Sequence, residues 1–126
     1  MDMENREGLI WFDGEFVDWK DANIHILNHG LHYASSVFEG ERSYSGKIFK
    51  VREHTERLFD SAKALDLKIP FSVDEMIDAS YEALKLNNLT DAYLRPIVWR
   101  GSEMGVSAPN AKVHCAIAVW EWPTYF

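Results

Sequence analysis

The sequence predicts an α+β fold, a largely antiparallel sheet with two main helices on one face. Three observations carry that reading. Runs of aromatic and β-branched residues flank two glycine turns, Asp13-Gly14 and Ser45-Gly46, as the strands of hairpins do. From Val51 the apolar spacing lengthens from two to the three and four of a helix. Two apolar strands then return at 92–99 and 112–120. At 126 residues the chain is long enough to bury a core and has the length of one domain.

Taken in order, Leu9-Ile10-Trp11-Phe12, Asp13-Gly14 and Glu15-Phe16-Val17 form the first hairpin, since Asp-Gly accepts the positive φ angles of a type I′ turn. Residues 18–23 are polar and read as a loop. Ile24-His25-Ile26-Leu27 is a short extended piece, and Asn28-His29-Gly30 should break the chain there and interrupt any helix. The second hairpin runs through 37–44, turns at Ser45-Gly46 and returns along Lys47-Ile48-Phe49-Lys50. Period two places Phe38, Gly40, Arg42 and Tyr44 on one side of it. Glycine weakens a strand unless something approaches its backbone closely, and the arginine fork suits a carboxylate or a phosphate.

Val51, His54, Leu58, Phe59, Ala62 and Leu65 recur at helical spacing, and Pro70 closes the connection that follows. Ser72-Val73-Asp74-Glu75 is a capping box. The helix it opens should bury Val73, Met76, Ile77, Ser80 and Leu84 and stop near Asn87-Asn88. Between the last two strands, residues 100–111 form a loop containing glycine, serine and proline.

Composition narrows the function classes. A hydrophobic fraction of 47% with 26% charged residues is that of a soluble globular protein. A net charge of −7 argues against nucleic-acid binding, because no basic excess is present to neutralise phosphates. The single Cys115 excludes an intramolecular disulfide, fits a reducing compartment, and sits in an apolar run as a buried, inert thiol. No stretch approaches the roughly 18 apolar residues of a membrane span, so a cytoplasmic location is expected. Trp120, Trp122, Tyr125 and Phe126 crowd the last seven residues, which reads as a longer protein cut at a domain boundary.

Most catalytic patterns are absent. His25, His29 and His32 would suit a metal only on a helix, and no Asp, Glu or Cys cluster completes a shell, so no metal is expected. There is no nucleophile elbow and neither glycine-rich phosphate loop, so any phosphate would be held by side chains. Arginines are the better lead. Arg57 can hold a phosphate or pair with Glu53 one turn earlier. Tyr93 and Arg95 share a strand face, where a hydroxyl beside a forked cation makes a carboxylate grip.

His32-Tyr33, Val37-Phe38-Glu39-Gly40-Glu41-Arg42, Glu53-His54 with Arg57-Leu58, Tyr93-Leu94-Arg95-Pro96 and Met104-Gly105-Val106 follow one another in a familiar order and spacing. From about Leu9 to Tyr125 the chain closely resembles the N-terminal domain of the branched-chain amino acid aminotransferases. These are pyridoxal 5′-phosphate enzymes of the class IV fold.

The resemblance implies roles. Arg57 would bind the cofactor phosphate, and Phe38, Gly40 and Tyr33 would line the pocket for a branched aliphatic side chain. Tyr93 would help hold the substrate α-carboxylate. Arg95 would receive the distal carboxylate of glutamate, with Arg42 supporting that acidic end. Met104, Gly105 and Val106 would reach into a neighbouring subunit's site, which requires a homodimer or higher homo-oligomer. The partners would be branched-chain amino acids, glutamate and their 2-oxo acids. On this reading residues 1–121 are the small domain and 122–126 begin an interdomain connector. The Schiff-base lysine would lie beyond Phe126, because none of the seven lysines stands in its context, and the fragment alone would be inactive. Glu41 departs from the family pattern, where an apolar or small residue is expected. The alternatives are a D-amino acid aminotransferase, another class IV enzyme, or a non-catalytic binding or oligomerisation module.

Overall fold

A computed structural model describes residues 2–122. Strands β1 (Leu9–Phe12), β2 (Glu15–Asp18), β3 (Ser36–Phe38), β4 (Glu41–Tyr44), β5 (Lys47–Ile48), β6 (Ala92–Arg100) and β7 (Val113–Glu121) form one sheet. Its order is β2-β1-β7-β6-β4-β5, with β3 also on β6, and every pairing is antiparallel. Helix α1 (His29–Tyr33) is short, while α2 (Val51–Ala64) and α3 (Val73–Leu86) cover one face. The α+β architecture is the expected one.

Both hairpin turns follow from their residues. Asp13 and Gly14 have φ of 52° and 96°, and Ser45 and Gly46 have 51° and 82°, the paired positive angles of a type I′ turn. Asp13 also ties its turn to β7, with its carboxylate accepting the Cys115 N–H at 2.9 Å and meeting His114 Nδ1 at 2.6 Å.

The longest ladder joins β6 to β7, from Ala92 opposite Glu121 to Arg100 opposite Val113. Its alternation divides the chain. Leu94, Val98, Cys115, Ile117 and Val119 are fully buried beneath the helices, with Leu58, Met76, Ala83 and Leu84. Tyr93, Arg95, Ile97 and Trp99 take the opposite face, where Ile10, Trp19, Trp99 and Ala116 form a second, smaller cluster. Cys115 is buried, and burial followed by the charge of Asp13 pushes its thiol up to about 12, so it stays protonated and inert.

The capping box of α3 is present, with Ser72 Oγ accepting from Glu75 N at 3.1 Å and Glu75 Oε1 accepting from Ser72 N at 3.0 Å. The face below it is Met76, Ala79, Ser80, Ala83 and Leu84, with Val73 and Ile77 only half-buried. On α2, Thr55 is buried beside Leu58 and Ala62 because its hydroxyl donates to the Val51 carbonyl, while Leu65 is largely exposed.

Three local expectations are corrected. Asn28 starts a helix instead of breaking one, since its side chain accepts the Gly30 N–H at 3.0 Å and caps α1. Residues Trp19–Asp21 form a 3₁₀ turn within the supposed polar loop, and Trp19 buries its ring in the second cluster. Residues 24–27 pair with no strand.

The strand through 37–44 lapses at Glu39 and Gly40, and Pro96 explains why. Glu39 N donates to Pro96 O at 3.0 Å, but proline has no N–H to return the bond. The register is unbroken across the gap, with Phe38 opposite Ile97 and Arg42 opposite Tyr93. Phe38, Gly40 and Arg42 therefore still share a face. No helix among the described residues is long and apolar enough to cross a membrane. The aromatic end at Tyr125 and Phe126 lies outside the described residues.

Burial ranks the expected losses. Met76→Ala should destabilise by about 2–5 kcal/mol through lost contact and a residual cavity. Ser72→Ala should lose only the cap, about 1 kcal/mol. Urea denaturation measures both, and a reversed order would contradict the placement of α3.

Candidate active site

The sheet face away from α2 and α3 gathers half of the predicted site. Tyr93 and Arg95 stand two apart on β6, and the register sets Arg42 and Phe38 beside them. Arg95 Nη2 donates to the Tyr93 hydroxyl at 2.8 Å and Nε reaches it at 3.3 Å. The same guanidinium lies 4.2 Å from the Phe38 ring centroid. Stacking and hydrogen bonding thus fix its plane before any ligand arrives. Tyr93 is held in turn by Trp120 and Trp122, each with its ring 4.9 Å away.

Gly40 is required here by space. A Cβ on it would overlap the Tyr93 hydroxyl, so the backbone passes directly against the grip. Phe38, stacked against Arg95, remains 55% exposed as an apolar wall. Arg42 sits 5.3 Å from the Tyr44 ring and 5.8 Å from Trp122, and its buried Nε has no hydrogen-bond partner among the described residues. Beside Arg95 opens a hollow of about 330 Å³, lined by Ile10, Phe12, Leu31, Ile97, Trp99 and Ala118. An apolar cavity with one oriented guanidinium on its wall can accept either an aliphatic or an acidic group.

Arg57 lies elsewhere, on α2, and its partner is not the expected Glu53. Glu53 pairs with Lys50 at 3.6 Å. Arg57 instead grips Glu39, with Nε to Oε2 at 2.8 Å and Nη2 to Oε1 at 2.7 Å, and His54 Nδ1 donates to Oε1 at 2.7 Å. Glu39 is only 4% exposed. Burial pushes its carboxyl up, but the Arg57 and His54 hydrogen bonds and charges outweigh this and hold it below the ordinary carboxylate range. The hydrogen bonds that Arg57 donates to Glu39, and then the carboxylate's charge, raise the guanidinium in turn. The Arg57 side chain stays 67% exposed, and Nη1 has no partner among the described residues. One edge of the fork is anchored and the other is presented outward.

The remaining predicted residues form a separate group. Tyr33 ends α1, and Met104, Gly105 and Val106 lie in the loop after β6. His29 joins them: it is buried, its Nε2 bonds the Gly105 carbonyl at 2.7 Å, and its Nδ1 meets Ser35 Oγ at 2.6 Å. Its ring lies 4.4 Å from that of Tyr33. Gly105 has a φ of 124°, open only to glycine. Val106 is 86% exposed, and with Tyr33 and Arg100 it lines a cleft of about 660 Å³. Within one chain, then, Phe38, Gly40, Arg42, Tyr93 and Arg95 come together, while Tyr33 keeps company with the loop. His25 and His32 bond backbone groups of Leu27 and Ile26.

Glu39 was missed as a functional residue, although alternation through Val37, Glu39 and Glu41 points it at the helix that carries Arg57.

Comparison with known proteins identifies the family and the fold. The family model described as Amino-transferase class IV matches residues 36–126. A branched-chain-amino-acid aminotransferase of Pseudomonas aeruginosa is 49% identical over 130 residues, covering 99% of this chain and 42% of that protein. The solved branched-chain amino acid aminotransferase of Escherichia coli superposes with a TM-score of 0.89 at 41% identity, over 93% of this chain and 42% of that one. The solved branched-chain aminotransferase of the archaeon Thermoproteus uzoniensis, with norvaline, gives 0.89 at 30% identity, over 95% and 42%. The chain thus spans about two-fifths of the length of the relatives it matches. With the family model covering most of the sequence, the chain belongs to the class IV aminotransferases.

Proposed function

We propose that this chain is the small domain of a cytoplasmic branched-chain amino acid aminotransferase. The enzyme exchanges the amino group between leucine, isoleucine or valine and 2-oxoglutarate. The observation that carries the reading is the Arg95 guanidinium, locked between Tyr93 and Phe38 on the wall of an apolar hollow. Leucine and glutamate must be accepted in turn by one site, and this wall offers a surface for each. Residues 1–121 are this domain and 122–126 begin its connector to the second one.

Pyridoxal 5′-phosphate fits the donor set. Arg57 presents the free edge of an anchored fork, suited to a phosphate without any glycine-rich loop. Gly40 lets the backbone lie directly against Tyr93, which leaves the phenol in place beside Arg95. When bound, the cofactor supplies the carbonyl and the electron sink that amino transfer needs. The lysine that joins it covalently belongs to the second domain.

The residues of this chain bind and orient. Tyr93 donates to the substrate α-carboxylate, and Phe38 with the apolar hollow receives an aliphatic side chain. Arg95 turns its free N–H groups to the distal carboxylate of glutamate, while Arg42 adds positive charge behind that end. Tyr33 and the loop of Met104, Gly105 and Val106 serve the site of a second copy, making the active form a homodimer or a larger homo-oligomer. The separate cleft lined by Tyr33 and Val106, and the exposure of Val106, support that assignment.

In the whole protein, Arg95→Ala should lower kcat/KM for glutamate by roughly 10- to 100-fold, as expected for losing charge-assisted hydrogen bonds. Leucine turnover should change by less than about fivefold, since no charged contact is lost. Equal losses for the two donors would sink the dual role of Arg95. A second assay uses the 126-residue chain by itself with cofactor, leucine and 2-oxoglutarate. No turnover is expected, and turnover abolished by replacing one of its own lysines would move the covalent chemistry into this domain.

A further inference from the structure

Glu41 takes no part in the grip described above, yet its position is the least comfortable in the chain. It is 1% exposed on the helix-facing side of β4, and neither carboxyl oxygen has a hydrogen-bond partner among the described residues. A buried, unpartnered carboxyl avoids the desolvation of its charge by keeping its proton. Burial, reinforced by the charge of Glu39, pushes it up to about 8. Two residues away on the same side, Glu39 is buried too but ionised, because Arg57 and His54 hold it. The two carboxyls therefore sit in opposite protonation states.

Few polar groups face the pair. From α2 come His54 and Arg57, both already committed to Glu39. From β6 the residue opposite Glu41 is the apolar Leu94. Ser43, the next residue along on this side of β4, donates to the Thr90 carbonyl. Tyr81 of α3 accepts the Ile48 N–H of β5.

We propose that Glu41 is a positioning residue for anion capture at Arg57: as a neutral acid it leaves the Glu39 carboxylate undisturbed, and once ionised it weakens the grip on a phosphate. With Glu41 neutral, Glu39 and Arg57 balance, and the outward edge of the fork meets an anion backed by one carboxylate. With Glu41 ionised, two buried negative charges stand behind a single guanidinium, and the cluster repels a phosphate dianion. Mutual repulsion also acts on Glu39, the group that fixes the plane of Arg57. The inference rests on Arg57 as the phosphate ligand.

The test uses the whole protein. Pyridoxal 5′-phosphate and pyridoxal, which lacks the phosphate, are titrated by absorbance at pH values on either side of about 8. The series is run for the wild type, Glu41→Gln, Glu41→Leu and Arg57→Ala. The quantity compared is the preference for the phosphorylated form, and ligand ionisations common to all four proteins cancel between variants. In the wild type that preference should fall roughly tenfold across the titration, the scale of one added charge near the site. In Glu41→Gln and Glu41→Leu it should stay level, the leucine variant guarding against a misfolded glutamine one. In Arg57→Ala it should be lost at every pH.

If Arg57→Ala keeps the preference, the phosphate reading of Arg57 fails and this inference with it. If Arg57→Ala loses it while Glu41→Gln retains the wild-type fall, Glu41 alone is overturned and Arg57 stands. Thermal denaturation supplies an independent readout. A carboxyl raised by folding contributes its stability fully below the ordinary Glu range of 4.5 and loses it as pH rises to about 8. That slope should vanish in both Glu41 variants. A purely structural residue would shift the melting temperature without changing the preference for phosphate, and that result also overturns the proposal.

Discussion

The register of β6 is the constraint on which the rest depends. It is flanked by β7 on one side and by β3 and β4 on the other, so its alternation sets two faces at once. Leu94 and Val98 point into the core under α2 and α3, and Tyr93 and Arg95 point out of it. A slip of one residue would bury the guanidinium and expose the leucine, a double penalty that makes the register unambiguous. The site is thus specified by the same hydrophobic pattern that specifies the fold. Pro96 adds a local consequence. Its missing N–H opens the ladder at Glu39 and Gly40, the one place where the backbone must lie low against Tyr93.

The opposite face of that interrupted strand carries the charge. Glu39 is buried as a carboxylate only because three N–H groups reach it, from Arg57 and His54. An exposed arginine on a helix ordinarily samples many rotamers, and an ion pair at the surface contributes little. Here the partner is buried and bidentate, so the fork is held in one plane while its outer edge remains available. The anchoring reaches from the sheet to the helix and joins the two layers there.

Much of this was legible in the sequence, for identifiable reasons. Asp13-Gly14, Ser45-Gly46 and the Ser72–Glu75 box are local chemistry and appear as read. The alternation that grouped Phe38, Gly40 and Arg42 survives the lapse at Glu39 because register, not continuous pairing, carries it. Two kinds of feature stayed hidden. Asn28 is ambiguous by nature, since the side chain that terminates one element caps the next. Arg57 meets Glu39 across 18 residues and His29 meets the Gly105 carbonyl across 76, and helical spacing exposes only neighbours within a turn. Tyr33 shows the limit of a motif, which names a residue for a pocket without placing it beside the others: here it lies against His29, apart from Tyr93 and Arg95.

The proposed dual recognition turns on how a guanidinium behaves when no acid is present. A bare arginine beside a bound leucine would lose water and gain nothing, a cost of several kcal/mol for an unpaired buried charge. Arg95 escapes this because its own chain already supplies an acceptor and a π face, Tyr93 and Phe38. An aliphatic side chain can then occupy the hollow while Arg95 keeps those contacts. A distal carboxylate takes the N–H groups left over, at little reorganisation. On the proposed function, the preference between the two would depend on how firmly Tyr93 holds Arg95, and so on Trp120 and Trp122, whose rings pack against Tyr93.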